Sequence, residues 1–149
     1  SDRISHIQQQ SLVSFRGSQR RLTMNGVEIY QVSFDQFVKL RGDASDVELS
    51  AAKLASEIIT GIYNGEVLGF VGLVPPTLLS DEAYIWMITT EAGEQHPILL
   101  ARYGTGLIQT ALLKYRELFG HCFNARSARW LKYLGAEFTS ETQFVIRRV

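Results

Sequence analysis

Two side chains near the middle of the sequence have the chemistry needed to move a proton, Glu91 and His96. A carboxylate can accept a proton from an amine through water, and an imidazole changes its protonation state within the physiological pH range. The sequence identifies no partner for either residue. A structural alternative stays open for both, since Glu91 also fits a loop and His96 the start of a helix. They are candidate catalytic residues by residue type alone.

A second group of candidates is the glycine-containing segment formed by Gly104, Thr105 and Gly106. Glycine allows the backbone to approach a phosphate closely, and the free amides at a helix start attract anions. The same segment fits the interior of a long helix, where each glycine costs about 1 kcal/mol relative to alanine. Two alternatives are therefore open, a phosphate-binding loop that begins at Gly104 and a site of close packing.

Other kinds of site are not indicated by the sequence. No set of His, Cys, Asp and Glu has metal-ligand spacing, and neither a Gly-x-Ser-x-Gly pattern nor a P-loop occurs. Cys122 is the single cysteine, and its apolar neighbours predict a small buried side chain. We expect no metal ion, no internal disulfide and no nucleoside-triphosphate chemistry.

Capping signals predict two helices in the first half of the chain. Ser33 with Gln36, and Ser45 with Glu48, each form a capping box. The first predicts a helix over residues 34–41, and the second a helix that begins after residue 45. The apolar face expected for the second helix consists of Val47, Ala51, Leu54, Ala55 and Ile58.

Apolar runs and turn residues predict the other elements. Asn64-Gly65 between two apolar runs is typical of a hairpin. Hydrophobic periodicity predicts a long helix from His96 toward Phe119 and a shorter one over residues 127–134. The predicted strands are residues 28–32, 59–63, 66–74, 82–89, 121–123, 137–138 and 143–148.

The element order βααβββαβαββ predicts an α/β (α+β) fold with a mixed, mostly antiparallel sheet flanked by helices. Residues 24–149 form one domain in this interpretation. Residues 1–23 are a helical arm that ends in a polar connector. Two alternatives fit the arm, a docking segment and a helix that folds back on its own domain.

Composition limits the classes of partner. The 149 residues are 46% hydrophobic, and 15 basic side chains balance 15 acidic ones. This balance gives no global field toward nucleic acid or an anionic membrane, so we expect neither as a partner. The sequence has no apolar run long enough to span a bilayer and begins without a signal peptide. A cytoplasmic location is expected.

The segment from Asn124 to Gly135 resembles the closing part of the GNAT acetyltransferase fold, in which a short strand ends at Asn and an amphipathic helix ends at Gly. The combination of Thr89-Thr90, His96-Pro97 and Asn-x-x-x-x-Arg-aromatic-Leu-Lys-x-x-Gly is more specifically similar to small GNAT-like assembly and internal virion proteins of short-tailed phages. The resemblance covers roughly residues 27–149. It extends the expected location to a bacterial host cytoplasm or a virion.

The resemblance implies acetyl-coenzyme A as the cofactor. The strand that includes Ile88 and Thr89 would splay from its neighbour, so that its backbone pairs with the pantetheine arm. Ile88, Thr89 and Thr90 would line that arm, and Asn124 would contact the cofactor. Gly104, Thr105 and Gly106 would be the counterpart of the family's pyrophosphate-binding segment.

Two departures from active GNAT enzymes argue against simple transfer of the activity. The segment carries Ala101 where the family has a long polar residue, and Gly104 comes fourteen residues after Thr90, which is later than usual. Leu131 stands where many members have the tyrosine that protonates the departing thiolate. Tyr133 lies two residues further, rotated by about 200° around the helix, and does not simply replace it.

Two functional hypotheses follow. The first is a phage-encoded GNAT-fold protein with degenerate catalytic motifs that acts in virion assembly or is a virion component. Its partners would be phage structural proteins, bound through residues 1–23 or through the basic face of Arg126, Arg129 and Lys132. The alternative is an active acetyl-coenzyme A-dependent N-acetyltransferase with an unknown amine as acceptor. The sequence does not predict the oligomeric state.

Overall fold

The computed structural model describes residues 20–24, 26–122 and 125–148. It contains eight strands and five helices within those ranges. In chain order they are β1 (Arg20–Met24), β2 (Val27–Val32), α1 (Phe34–Arg41), α2 (Asp46–Leu54), β3 (Glu57–Tyr63), β4 (Glu66–Val74), β5 (Glu82–Thr89), α3 (Glu91–Glu94), α4 (Pro97–Lys114), β6 (Glu117–His121), α5 (Ala125–Tyr133), β7 (Glu137–Phe138) and β8 (Gln143–Arg147).

The strands form one sheet in the order β1-β2-β3-β4-β5-β6-β8-β7. Every neighbouring pair is antiparallel except β5 and β6, which are parallel. The connection between these two strands is the long helix α4, as expected for a parallel crossover. The predicted fold class, a mixed and mostly antiparallel sheet flanked by helices, is confirmed.

The local signals in the sequence explain where several elements begin and end. Ser33 accepts a hydrogen bond from the Gln36 amide at 3.1 Å, and the Gln36 side chain accepts one from the Ser33 amide at 2.8 Å. The second capping box, at Ser45, is also formed. Asn64 and Gly65 both have positive φ, 51° and 77°. This is the conformation that a two-residue type I′ hairpin turn requires, and it joins β3 to β4.

Helices cover the two faces of the sheet with separate hydrophobic clusters. On the first face, α4 and α5 pack against strands from β2 to β8, and we call it the α4/α5 face. On the second, the α1/α2 face, α1 and α2 pack against β2, β3, β4 and β5. Among the described residues, the buried cluster of the α1/α2 face contains no residue of β6, β7 or β8.

The apolar face predicted for α2 is wrong at two positions. Val47 is 80% exposed and Leu54 is 72% exposed, whereas Ala52 is buried. The helix is short and rests on the sheet through small side chains, so the burial does not follow the largest residues. The hydrophobicity pattern therefore predicts a packed side of α2 that is rotated by part of a helical turn from the observed one.

The predicted extent of the long helix is also wrong. Helix α4 ends at Lys114, and Tyr115 is already extended, with φ −117° and ψ 137°. Leu118 belongs to β6, which covers residues 117–121 rather than the predicted 121–123. Tyr115 and Leu118 are both buried and three residues apart, which is the spacing of one helix face, so the apolar pattern continues past the end of the helix. Tyr115 in fact follows α4, and Leu118 is in β6.

Two further elements were not predicted. Residues 20–24 form β1, which pairs with β2, although the sequence indicated a polar connector up to residue 21. A four-residue helix, α3, separates β5 from α4. Residues 1–19, and with them most of the predicted arm, lie outside the described residues. No helix among the described residues is long and apolar enough to cross a membrane.

Candidate functional site

The parallel strands β5 and β6 separate part-way along β5. β5 pairs with β4 from Tyr84 to Thr89, but it pairs with β6 only at residues 82–84. The strands come close once more at Gly120, where a Cβ atom would lie 2.6 Å from the Ile85 carbonyl oxygen. From residue 86 to 89 the edge of β5 that faces β6 has no ladder partner among the described residues. We call this wedge-shaped gap the splay.

Two of the residues predicted to line a cofactor arm lie on this edge. Ile88 is half-buried, and its side chain packs on the α1/α2 face. Thr89 is half-buried, ends β5 and lies opposite Gly69 of β4. Of the two, Thr89 turns its backbone groups toward the splay, whereas the Ile88 carbonyl faces Gly69 of β4.

Thr90, the third predicted residue, has a structural role. Its hydroxyl is buried, donates toward the carbonyls of Val67 and Leu68, and accepts a hydrogen bond from the Gly93 amide at 3.1 Å. The Thr90 amide also donates to the Leu68 carbonyl at 3.2 Å. Thr90 therefore caps α3 and attaches it to β4.

The two predicted acid–base residues, Glu91 and His96, lie in different surroundings. Glu91 is exposed and begins α3, just beyond the end of β5. His96 is the N-cap of α4, and its ring contacts the Tyr63 ring edge-to-face with centroids 5.5 Å apart. Tyr63 ends β3, which is separated from β5 by β4, so the contact lies roughly 10 Å from the β5 edge at ordinary strand spacing.

The structure places Gly104, Thr105 and Gly106 inside α4 rather than at its start. Thr105 donates its hydroxyl hydrogen to the Ala101 carbonyl at 2.8 Å, one turn back. A Cβ atom on Gly104 would lie 2.7 Å from Cζ2 of Trp130 on α5. This position favours the packing alternative, because amides in a helix interior are used by the helix itself. Asn124 lies outside the described residues.

The remaining predictions concern α5 and its surroundings. Leu131 is buried in the cluster of the α4/α5 face, and Tyr133 is 70% exposed. Arg129 and Lys132 are exposed, and the side chain of Arg126 is outside the described part of the chain. Cys122 is buried, as predicted.

Two ionisable groups of the described residues have a shifted pKa. Burial raises the pKa of the Tyr103 hydroxyl above its ordinary range. The hydrogen bond to Asp81 at 3.1 Å, followed by the charges of Asp81 and Glu117, raises the pKa of the exposed Arg116 side chain. Neither shift places a proton donor at the splay. No group of three or more His, Cys, Asp or Glu side chains in the described ranges could hold a metal ion.

A cluster at the splay was missed by the sequence interpretation. The rings of Tyr84 and Phe119 are 5.7 Å apart, the rings of Tyr84 and His121 are 6.1 Å apart, and Nε2 of His121 lies 3.2 Å from Nε2 of Gln143. The alternation of residues 117, 119 and 121 is the period-two signal of a strand. It was hidden because residues up to 119 were assigned to the preceding helix.

Known structures with the same arrangement are GNAT acetyltransferases. A GNAT acetyltransferase from Bacillus anthracis superposes with a TM-score of 0.60 and 8% identity, covering 85% of this chain and 97% of that one. Ribosomal-protein-S5-alanine acetyltransferase from Vibrio fischeri gives a TM-score of 0.60 and 11% identity over 86% and 95% of the two chains. A variant of spermidine N-acetyltransferase from Vibrio cholerae gives 0.62 and 9% over 82% and 94%.

The fold is that of the GNAT acetyltransferases. No protein-family model and no curated protein matches the chain. At 8–11% identity the similarity to these three structures establishes the fold alone. The phage relationship stays a prediction from the sequence resemblance, because the similar structures named above come from bacteria.

The residues at the splay fit one part of acetyl-coenzyme A better than the other. The free edge of β5 over residues 86–89 offers backbone amides and carbonyls to the amide groups of a pantetheine arm. The segment from Gly104 to Gly106 does not form a loop that could surround a pyrophosphate. The arm therefore fits this chain, whereas the described residues form no glycine loop that could bind the phosphates.

Proposed function

We propose that the protein binds acetyl-coenzyme A at the splay and transfers the acetyl group to a primary amine. The observation that carries this proposal is the early separation of β5 from β6 within the GNAT fold. An edge of four residues, 86–89, is left without a strand partner in the described part of the chain. Unpaired backbone groups at such an edge favour an extended ligand that completes their hydrogen bonds.

The residues of this chain would bind and polarise the substrate. Acetyl-coenzyme A, when bound, supplies a thioester that an amine can attack. The β5 backbone next to Ile88 and Thr89 would hold the pantetheine arm, and Asn124 is a further candidate contact. An amide of the same edge would stabilise the negative charge that develops on the carbonyl oxygen, because a preorganised donor needs no reorganisation.

The proton that the departing thiolate takes up does not come from the family's usual position. Leu131 is 2% exposed and has no ionisable group. Tyr133 points away into solvent at 70% exposure. We propose that water protonates the thiolate, and we expect a slower reaction than in members that carry a positioned acid, by about 10²-fold or more.

A second candidate function is non-catalytic, with the GNAT fold used as a virion assembly or virion component. Two observations favour it: the apolar Leu131 at the usual acid position, and Gly104 covered by Trp130. The proposed partners are phage structural proteins, contacted through residues 1–23 or through the basic face of α5. In this alternative the splay binds no ligand.

Calorimetric titration of the full chain with acetyl-coenzyme A separates the two candidates. The enzyme proposal expects micromolar binding and a rise in the melting temperature. Absence of both heat and thermal stabilisation would eliminate it. Mass spectrometry of purified virions tests the second candidate, which requires the intact protein in the particle or in an assembly intermediate.

A further inference from the structure

Beside the splay, no described helix covers the α1/α2 face of the sheet. Helices α1 and α2 cover β2 to β5, and α4 and α5 cover the opposite face as far as β8. Trp86 packs over Gly72 on β4, and its ring meets Phe37 of α1 at 6.0 Å, so this large side chain lies on the far side of β5 from β6. A second substrate can therefore approach the splay from this face.

His121 lies where the strands separate on that open face. The last β6 residue that pairs with β5 is Phe119, opposite Tyr84, and His121 is the next residue whose side chain points to the same face. His121 is exposed, and its Nε2 lies 3.2 Å from the Gln143 side-chain amide of β8. Gln143 holds the ring over the mouth of the splay.

Two aromatic rings form the floor next to His121. Tyr84 and Phe119 are both half-buried and meet edge-to-face at 5.7 Å, and Tyr84 also contacts the His121 ring at 6.1 Å. Val145, opposite Phe119 on β8, is half-buried as well. A flat apolar group can pack on this floor, and aromatic faces attract a cation placed over them.

The charges around the floor are predominantly negative. Glu82 of β5 lies beside Glu117 of β6, and Glu137 of β7 lies at the outer end of the same face. Arg147 of β8 contacts Glu117 at 3.2 Å and Glu137 at 2.8 Å. At the lower edge, Arg116 is paired with Asp81 and with Glu117. Four carboxylates thus surround two guanidinium groups, which favours a positively charged ligand.

We infer that this surface is the acceptor site, that it takes a primary amine carrying an aryl or other flat apolar group, and that His121 is the residue that receives the amine proton. This inference rests on the proposed function for its reaction. The binding of the amine does not depend on it.

The chemical step balances without a further reactant. The amine nitrogen forms a bond to the acetyl carbonyl carbon, and the carbon–sulfur bond breaks with its electron pair on sulfur. An amine that binds as the ammonium ion first loses one proton to water, which frees the lone pair that attacks. After the attack a second N–H proton passes to the His121 ring and then to water, while the thiolate takes a proton from water. For the ring to take up the amine proton at Nδ1, the Gln143 amide must be turned so that its oxygen accepts a hydrogen bond from Nε2–H. That contact then suits both the neutral and the protonated ring.

The first experiment measures amine binding to the full chain without any cofactor. Protein labelled with ¹⁵N-histidine is titrated with 2-phenylethylamine and, separately, with spermidine, and the ring signals are followed by NMR. We expect a saturable shift of the His121 signals with 2-phenylethylamine and a weaker response to spermidine. The His96 signals are the internal control, because that ring packs on Tyr63 two strands from β5. H121Q assigns the His121 signals.

The second experiment measures acetyl transfer by H121Q. We expect kcat to fall by about 100-fold or more, as for the loss of a general base, with unchanged affinity for acetyl-coenzyme A and a flattened acidic limb of the pH–rate profile. A purely structural role would leave the shape of that limb unchanged. Because His121 is exposed, the variant should fold, and its urea midpoint checks this.

The outcomes distinguish the two proposals. If acetyl-coenzyme A binds but no amine shifts the His121 signals, the acceptor site is refuted and the proposed function stands. If amines shift those signals and acetyl-coenzyme A does not bind, the site is real and the proposed reaction fails. A stronger response to spermidine than to 2-phenylethylamine overturns the assigned class of acceptor.

Discussion

Thr90 provides the sharpest test of how the end of β5 is organised. Replacing it with valine keeps the shape of the side chain and removes only the hydroxyl. In T90V the Leu68 carbonyl still accepts the hydrogen bond from the backbone amide of residue 90, which is 3.2 Å long. The groups that lose a hydrogen bond are therefore the Val67 carbonyl and the Gly93 amide. Loss of a cap costs about 0.5–2 kcal/mol, and a buried polar group without its partner about 1–3 kcal/mol.

We therefore expect T90V to lower the free energy of unfolding by about 2–3 kcal/mol, because the two effects overlap at one hydroxyl. In urea this moves the unfolding midpoint down by about 1 M or more, with an unchanged slope. The two tryptophans report unfolding by fluorescence. Affinity for acetyl-coenzyme A should change little, since the hydroxyl faces β4.

T90S is the matched control, because it keeps the hydroxyl and loses one methyl group. It should cost about 1 kcal/mol at most. The reasoning is refuted if T90V unfolds within about 0.5 kcal/mol of the wild type, a difference typical of an unconstrained surface position. Equal losses in T90S and T90V would also refute it, since the hydroxyl would then be irrelevant.

Two other predictions concern buried contacts of α4. G104A should destabilise the protein by about 1–2 kcal/mol although alanine favours helices, because its Cβ would lie 2.7 Å from the Trp130 ring. The losses of unfolding free energy in urea should not be additive between G104A, W130L and the double variant. Additive losses would contradict the contact. Y103F tests the raised pKa of Tyr103, because the unfolded state releases this proton near pH 10 and the folded state retains it. As the pH rises above about 10, the free energy of unfolding of the wild type should therefore fall more steeply than that of Y103F. Parallel curves of unfolding free energy against pH would contradict burial as the cause.

The elements that the sequence predicted well are those with their own local chemistry. Their hydrogen bonds are formed within a few residues, so they can be predicted without knowing any distant partner. Examples are the capping boxes at Ser33 and Ser45 and the Asn64-Gly65 turn. The boundary at Tyr115 is different. It depends on the pairing of β6 with β5 and β8, which no local pattern records.

The candidate site was predicted in outline but not in its residues. The resemblance pointed to the strand that ends at Thr89, and the structure places the splay along it. His121 was missed because its role depends on where two strands part, and that point is set by long-range pairing. Thr90 was predicted to line the arm from the resemblance, and the sequence does not show that its hydroxyl is buried and bonded to a neighbouring strand.

The central claim is that the free edge of β5 binds the arm of acetyl-coenzyme A. The most direct test is to follow the backbone amide NMR signals of the full chain during a titration with acetyl-coenzyme A. We predict saturable shifts concentrated on residues 86–89, with little change at the β3–β4 turn around Asn64. Binding that leaves residues 86–89 unshifted, or a titration that changes no amide signal, would contradict the account.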